Sequence, residues 1–158
     1  MEEAQEPEEE NIYYAPHLPR LFAFIIDFML ASIIASLVLS VLGASPQVSP
    51  EMTDEEMMQA IIEFQKSAYM WVIIGIFIGY FALFQVSSWQ ATPGKKLMGL
   101  YVTNLDGEPL SIGQSVWRAA VEVGNFIILL GLPAILALFH PYGQTAHDVI
   151  AKTYVLKR

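Results

Sequence analysis

The sequence predicts an all-α membrane protein with two spanning helices, a third kinked or re-entrant helical segment, and a small cytoplasmic β-hairpin-like connection. Three observations predict it. Of 158 residues, 54% are hydrophobic and only 15% charged, and the mean hydropathy of +0.45 is too high for a soluble domain of this length. Two apolar stretches, about 20–42 and 68–88, each have the roughly 20 residues needed to cross about 30 Å of hydrocarbon. A third apolar stretch, about 118–139, is interrupted by Glu122, Gly124, Asn125, Gly131 and Pro133 and does not read as a regular span.

The chain divides into an acidic tail, 1–17, and a transmembrane domain, 18–158. Glu2, Glu3, Glu6, Glu8, Glu9 and Glu10 account for much of the net charge of −8. Such a run reads as a solvated, disordered tail and gives nucleic-acid binding no support. An acidic N-terminus is the opposite of a signal peptide's basic start, so the first apolar stretch is expected to be retained. With no cysteine, disulfide and thiol chemistry are excluded and the redox compartment is left open.

The first span, Leu21 to Leu42, contains a single charge, Asp27. A carboxylate at that depth costs about 2.5–3.5 kcal/mol on insertion scales, so it is expected to face protein or water and to have a partner. Breakers from Gly43 to Pro50 end the span, and Thr53-Asp54-Glu55-Glu56 has the form of a capping box. The helix it opens is expected to run through Met57, Ile61, Ile62 and Phe64 directly into the second span, Ala68 to Val86. Tyr69, Trp71 and Trp89 bracket that span as interfacial rings. Inside it, Gly75 and Gly79 form a GxxxG pattern that lets another helix approach closely.

The positive charges arbitrate the third segment. Three full spans put Arg20, Lys95, Lys96 and Arg118 on one side against Lys66, Lys152, Lys157 and Arg158 on the other. If the third segment instead turns at Gly131/Pro133 and returns, only Lys66 lies opposite the other seven. The positive-inside bias favours that arrangement, with both termini cytoplasmic in the cell membrane. Between the second and third segments, Leu97 to Thr103 has strand character, Asp106-Gly107 signals a turn, and Glu108-Pro109-Leu110 forms a short return. Thr153 to Leu156 is a second candidate strand, which would pair with Leu100 to Thr103 only from the same side of the membrane.

Arg20 and Asp27 share one helix face about 10 Å apart along the axis. Arg20 reads equally as a snorkelling interface anchor or as half of a salt bridge. Ala23 and Ala31 flank Asp27 and would admit a neighbouring helix. Candidates to meet Asp27 are Gln85, Arg118, Glu122, Asn125, His147 and Asp148. Asp27 and Glu122 are candidate ion or proton sites, and for Asp27 a buried packing role weighs about the same. Ser32, Ser36 and Ser40 repeat along a second face and read as helix packing.

Thr92-Pro93-Gly94-Lys95-Lys96 lacks the first glycine and the Ser/Thr of a phosphate loop, so nucleotide binding is rejected. A basic pair beside a span suits anionic headgroups instead. His140, His147 and Asp148 are too few and too loosely spaced for a metal site. No nucleophile with its base is visible, so no catalytic residue, cofactor or enzyme activity is expected.

Three ordered motifs resemble the RDD family of small membrane proteins. They are Arg20-Leu-Phe-Ala-Phe-Ile-Ile-Asp27, then Gly94-Lys95-Lys96-Leu-Met-Gly99-Leu-Tyr-Val with Asp106-Gly107 and Arg118, and finally His147-Asp148-Val-Ile-Ala151-Lys-Thr153. The resemblance covers Arg20 to Leu156 and implies a multi-pass membrane protein, with transport of ions or small ligands suspected of the family as a whole. By position, Arg20, Asp27 and Asp148 take the defining roles, with Asp148 expected to pair with Arg20 or Arg118. The expected polar cluster is therefore Arg20, Asp27, Arg118, His147 and Asp148, near one membrane face. The expected partners are the bilayer and either further copies of the chain or another membrane protein. The leading functional expectation is a transport protein with Asp27 as its carboxylate. The alternative is a non-transporting assembly factor or scaffold whose Arg and Asp residues are structural clamps.

Overall fold

The first apolar stretch forms one continuous helix, α1 (His17–Val41), in the computed structural model, which describes residues 14–44, 49–129 and 144–157. At 1.5 Å per residue, α1 is about 37 Å long. Its inward stripe is Ala23, Asp27, Ala31, Ala35 and Leu39, spaced by fours, so small side chains line almost the whole buried face. Leu21, Phe22, Ile25, Met29, Ile33 and Leu37 point outward and are exposed. The helix α3 (Tyr69–Val86) is likewise long and apolar enough to cross a membrane.

Between them, α2 (Asp54–Lys66) starts at the expected capping box: Glu56 N–H donates to the Thr53 hydroxyl, and Thr53 N–H donates to the Glu56 carboxylate at 2.8 Å. The helix does not run on into α3 as expected. Ser67 adopts an extended conformation, and its hydroxyl donates to the Phe64 carbonyl at 2.6 Å, closing α2 before α3 begins.

Beyond α3, the chain forms a short helix α4 (Pro93–Leu97), the strand β1 (Leu100–Asn104), the helix α5 (Ile112–Leu129), the helix α6 (Ala146–Ala151) and the strand β2 (Thr153–Lys157). The expected hairpin is corrected here. The Asp106-Gly107 turn forms, closed by Asn104 N–H to the Glu108 carbonyl at 2.9 Å, but residues 108–110 supply no strand. Pro109 has no N–H to donate to a ladder. β1 instead pairs antiparallel with β2, Leu100 opposite Lys157 and Asn104 opposite Thr153.

Both sheet edges are occupied. Ala15 N–H donates to the Val155 carbonyl at 3.0 Å beside a bridge from Tyr14 to Leu156, and Val102 N–H donates to the Gln90 carbonyl at 2.7 Å. Tyr14 and Ala15, expected in the acidic tail, therefore belong to the folded domain; residues 1–13 of that tail lie outside the described residues. Ala15, Ala23, Leu100, Val102, Leu110 and Val155 form the core under the sheet. A second core of Ala31, Tyr80, Phe81, Ala82, Ala119 and Val123 joins α1, α3 and α5.

The start of α1, the end of α3, the start of α5, and all of α4, α6 and the sheet gather at one end of the bundle. Gln114 near the start of α5 donates to the Ala151 carbonyl at 3.0 Å, so the chain leaves this end along α5 and is back by Gln144. The expected turn at Gly131/Pro133 and the rest of 130–143 lie outside the described residues. Within α3, a Cβ built on Gly75 or Gly79 meets nothing within 4 Å, so among the described residues no element packs on the GxxxG face.

The capping box gives a pH-dependent expectation. Hydrogen bonds from the Thr53 backbone and side chain hold the Glu56 carboxyl below its ordinary 4.5. Its contribution is present above the ordinary value and is lost as pH falls through the lowered one. Hydrogen-exchange protection of the first α2 amides, corrected for intrinsic rates, should therefore drop as the pH is taken below the ordinary glutamate range. Thr53→Ala, which removes the hydroxyl but keeps the backbone N–H, should weaken the protection, and Glu56→Gln should remove its pH dependence; variants that exchange like the parent would contradict the cap.

Candidate functional site

Asp27 is fully buried, and both its oxygens are occupied. Oδ1 accepts from the Tyr80 hydroxyl at 2.9 Å and the Gly94 N–H at 2.8 Å, and Oδ2 accepts from the Thr92 hydroxyl. Local sequence explains the arrangement. Thr92 is the N-cap of α4, Pro93 starts it where no N–H is needed, and the freed Gly94 N–H turns to the carboxylate. Gly94 is required for the approach: a Cβ there would fall on the Ala23 carbonyl oxygen and 2.9 Å from Asp27 Oδ2. None of the six expected partners hydrogen-bonds Asp27. All three donors are uncharged: a hydroxyl from α3, and a hydroxyl and an amide from the start of α4.

Asp148 is the centre of a second, ionic network. Its Oδ1 takes Arg118 Nη2, and its Oδ2 takes Arg20 Nη2 at 3.0 Å, Thr145 N–H at 3.0 Å and the Thr145 hydroxyl at 2.8 Å. Of the two readings of Arg20, the salt bridge is the one the structure contains. Arg118 spends its remaining donors on Glu122 Oε2 at 3.2 Å and the Thr153 hydroxyl at 3.1 Å. Glu122 Oε1 lies 3.9 Å from both Lys95 Nζ and His147 Nε2. Phe24, Phe28, Phe77 and Phe126, with neighbouring ring centres 5.2–6.0 Å apart, lie on the bundle side.

The electrostatics follow from burial and pairing. Burial alone would raise Asp148, but Arg118, Arg20 and the Thr145 N–H hold its carboxyl far below the usual carboxylate range. Burial pushes the His147 imidazole down to about 4 against the pull of Glu122 and Asp148, so the ring is neutral at pH 7. Burial likewise lowers the Lys95 ammonium against the pull of Glu122.

The expected cluster of Arg20, Asp27, Arg118, His147 and Asp148 is thus divided. Arg20, Arg118, His147 and Asp148 join with Glu122, while Asp27 sits apart with Tyr80, Thr92 and Gly94. Lys95, next to Gly94 in sequence, links the two. Glu122, expected as a candidate ion site, faces two cationic side chains, Arg118 and Lys95, and the neutral His147 ring. Tyr80, Thr92, Gly94 and Lys95 were missed; the Thr-Pro-Gly helix start was the available signal for three of them.

Residues 14–152 match the family model described as RDD family. The chain belongs to the RDD family. This RDD domain is also similar to the uncharacterized protein YxaI of Bacillus subtilis (strain 168), 30% identical over 143 residues that cover 87% of this chain and 93% of the relative. No solved structure matches. Within the RDD domain, Arg20 touches Asp148 directly, and Asp27 holds the neighbouring α4. Among the described residues no group of acidic, histidine or cysteine side chains has a geometry that would hold a metal ion.

The Gly94 contact makes a sharp expectation. Gly94→Ala should force α4 off α1 and cost about 3 kcal/mol or more, read as a fall in thermal unfolding temperature in detergent. Gly75→Ala, where the Cβ has open space, should leave it nearly unchanged. Equal effects of the two would refute the close packing of α4 on Asp27.

Proposed function

We propose that this RDD-family chain is a multi-pass integral membrane protein acting as an assembly factor or scaffold, in which Arg20, Asp27 and Asp148 are structural clamps. The clamps hold a cap, made of α4, α6 and the sheet, on the cytoplasmic end of the bundle. The carrying observation is that Asp27 is fully buried and both of its oxygens already accept hydrogen bonds from uncharged groups of α3 and α4, which hold these elements to α1. Formal charges support the same reading. Arg20, Lys95 and Arg118 give three positive groups, Asp27, Glu122 and Asp148 give three negative ones, and neutral His147 adds none, so the set closes at zero. The cavity of about 350 Å³ between α1, α3 and α5 is lined by Phe28, Ile73, Ile74, Phe77, Phe126 and other apolar groups, with Ser32 and Ser36 its polar lining. That lining suits acyl chains better than a hydrated ion.

A transport reading has one specific observation in its favour. Lys95 Nζ and both amide atoms of fully buried Gln85 lack hydrogen-bond partners among the described residues. Unpaired interior polar atoms are where water or a polar solute would enter.

Reconstitution distinguishes the two. The purified protein in proteoliposomes should show no cation or proton flux above empty vesicles, and Asp27→Asn should reduce the amount of folded protein instead of a rate. Flux abolished by Asp27→Asn or Glu122→Gln at unchanged abundance would overturn the clamp. Reporters fused at Ser49 and after Arg158 should report opposite sides, since α5 and the returning chain start and finish at one end; a common side would refute the re-entrant third segment.

A further inference from the structure

We propose that the surface formed by Trp89, Lys96, Leu97 and Lys157 binds the headgroup of an anionic membrane phospholipid, a reading that rests on the membrane insertion proposed above. The basic pair expected to face headgroups is split by the fold. Lys95 turns inward to Glu122 and is buried, while Lys96, one position on along α4, is exposed. Its ammonium stands 3.5 Å over the Trp89 ring, and that ring stacks on Phe84 of α3 at 6.0 Å. An indole held against the end of a span and carrying a cation on its face fixes a positive charge at the depth where lipid headgroups begin.

A second lysine is brought to the same edge by the sheet. Gly99 joins α4 to β1, and the register sets Lys157 opposite Leu100, the first residue of β1. The Gln90 carbonyl bonds β1 at Val102, which ties the Trp89 loop to this sheet. Among the described residues neither Lys96 nor Lys157 is in an ion pair, in contrast to the inward-facing cations. Both charges are therefore available to an outside anion.

The apolar neighbours select a lipid over a free anion. Leu97, beside Lys96, is 70% exposed, and Leu83 on α3 is 71% exposed. An exposed leucine next to the Lys96 ammonium matches a ligand with an acyl chain below a phosphate; inorganic phosphate would use only the lysines. Each surface lysine adds modestly to the attraction for an anionic leaflet, so the two together set a preference instead of an irreversible anchor.

Thermal unfolding of the purified full chain in a neutral detergent tests this, with phosphatidylglycerol, phosphatidylcholine or inorganic phosphate added at equal concentration. Phosphatidylglycerol should raise the unfolding temperature above the phosphatidylcholine value, and inorganic phosphate should not. Lys96→Gln together with Lys157→Gln should erase the phosphatidylglycerol increment and keep the phosphatidylcholine response. Lys66→Gln, at the other end of the bundle, should keep both. Equal shifts from the two lipids, a full increment in the double variant, or the same increment from inorganic phosphate would overturn the site. Release of the chain from membranes by alkaline carbonate would instead overturn the insertion reading beneath it.

Discussion

The cap depends on the buried guanidinium of Arg118. One side chain binds three elements: Asp148 in α6, Thr153 in β2 and Glu122 in its own helix. A planar fork of donors suits this, because each partner approaches from a different direction in one plane. Burying such a charge costs several kcal/mol unless it is paired, so α6 and β2 cannot leave without stranding it. The dependence then passes along the chain. β2 is the strand that pairs with β1, β1 follows α4 through Gly99, and α4 rests on Asp27.

The two aspartates anchor the cap in different ways. Asp148 is held by opposite charge, and its network would feel any change in the ionisation of its neighbours. Asp27 is held by neutral donors from α3 and α4, so it needs no cation and gives none a vacant oxygen. Its setting is steric as much as polar. Ala23 and Gly94 bring two backbones close enough for one carboxylate to serve both, and the small stripe along α1 continues that close approach toward α3.

What was legible in the chain follows from how local each signal is. Span-length apolar runs, the Thr53 cap and the strand-like Leu100–Thr103 and Thr153–Leu156 depend on neighbours in sequence, and they are present within a few residues of their expected limits. The partners of Asp27 were not legible by charge matching, because a buried carboxylate is satisfied as well by hydroxyls and an amide as by an arginine. Tyr80 looked like one more apolar span residue, and Gly94 like part of a failed phosphate loop. The GxxxG pattern carries no packing within the chain: Gly75 and Gly79 satisfy the spacing, and no element among the described residues packs there. A glycine permits close approach; only the fold decides whether a neighbour arrives.

Lys95 and Lys96 show the same limit most directly, and they also explain why the inner network closes. Consecutive helix residues point about 100° apart, so identical side chains face different surroundings. Without Lys95 facing inward, Glu122 would share Arg118 with Asp148, leaving three buried carboxylates to two guanidiniums. With it, the formal charge balances while Lys96 is released to the exposed edge beside Trp89. The direction of the first turn of α4, set by Thr92 and Asp27, therefore determines both the neutrality of the interior and the charge of the surface. A rotation of that short helix by one residue would exchange the two lysines, unbalance the core and remove the cation from Trp89.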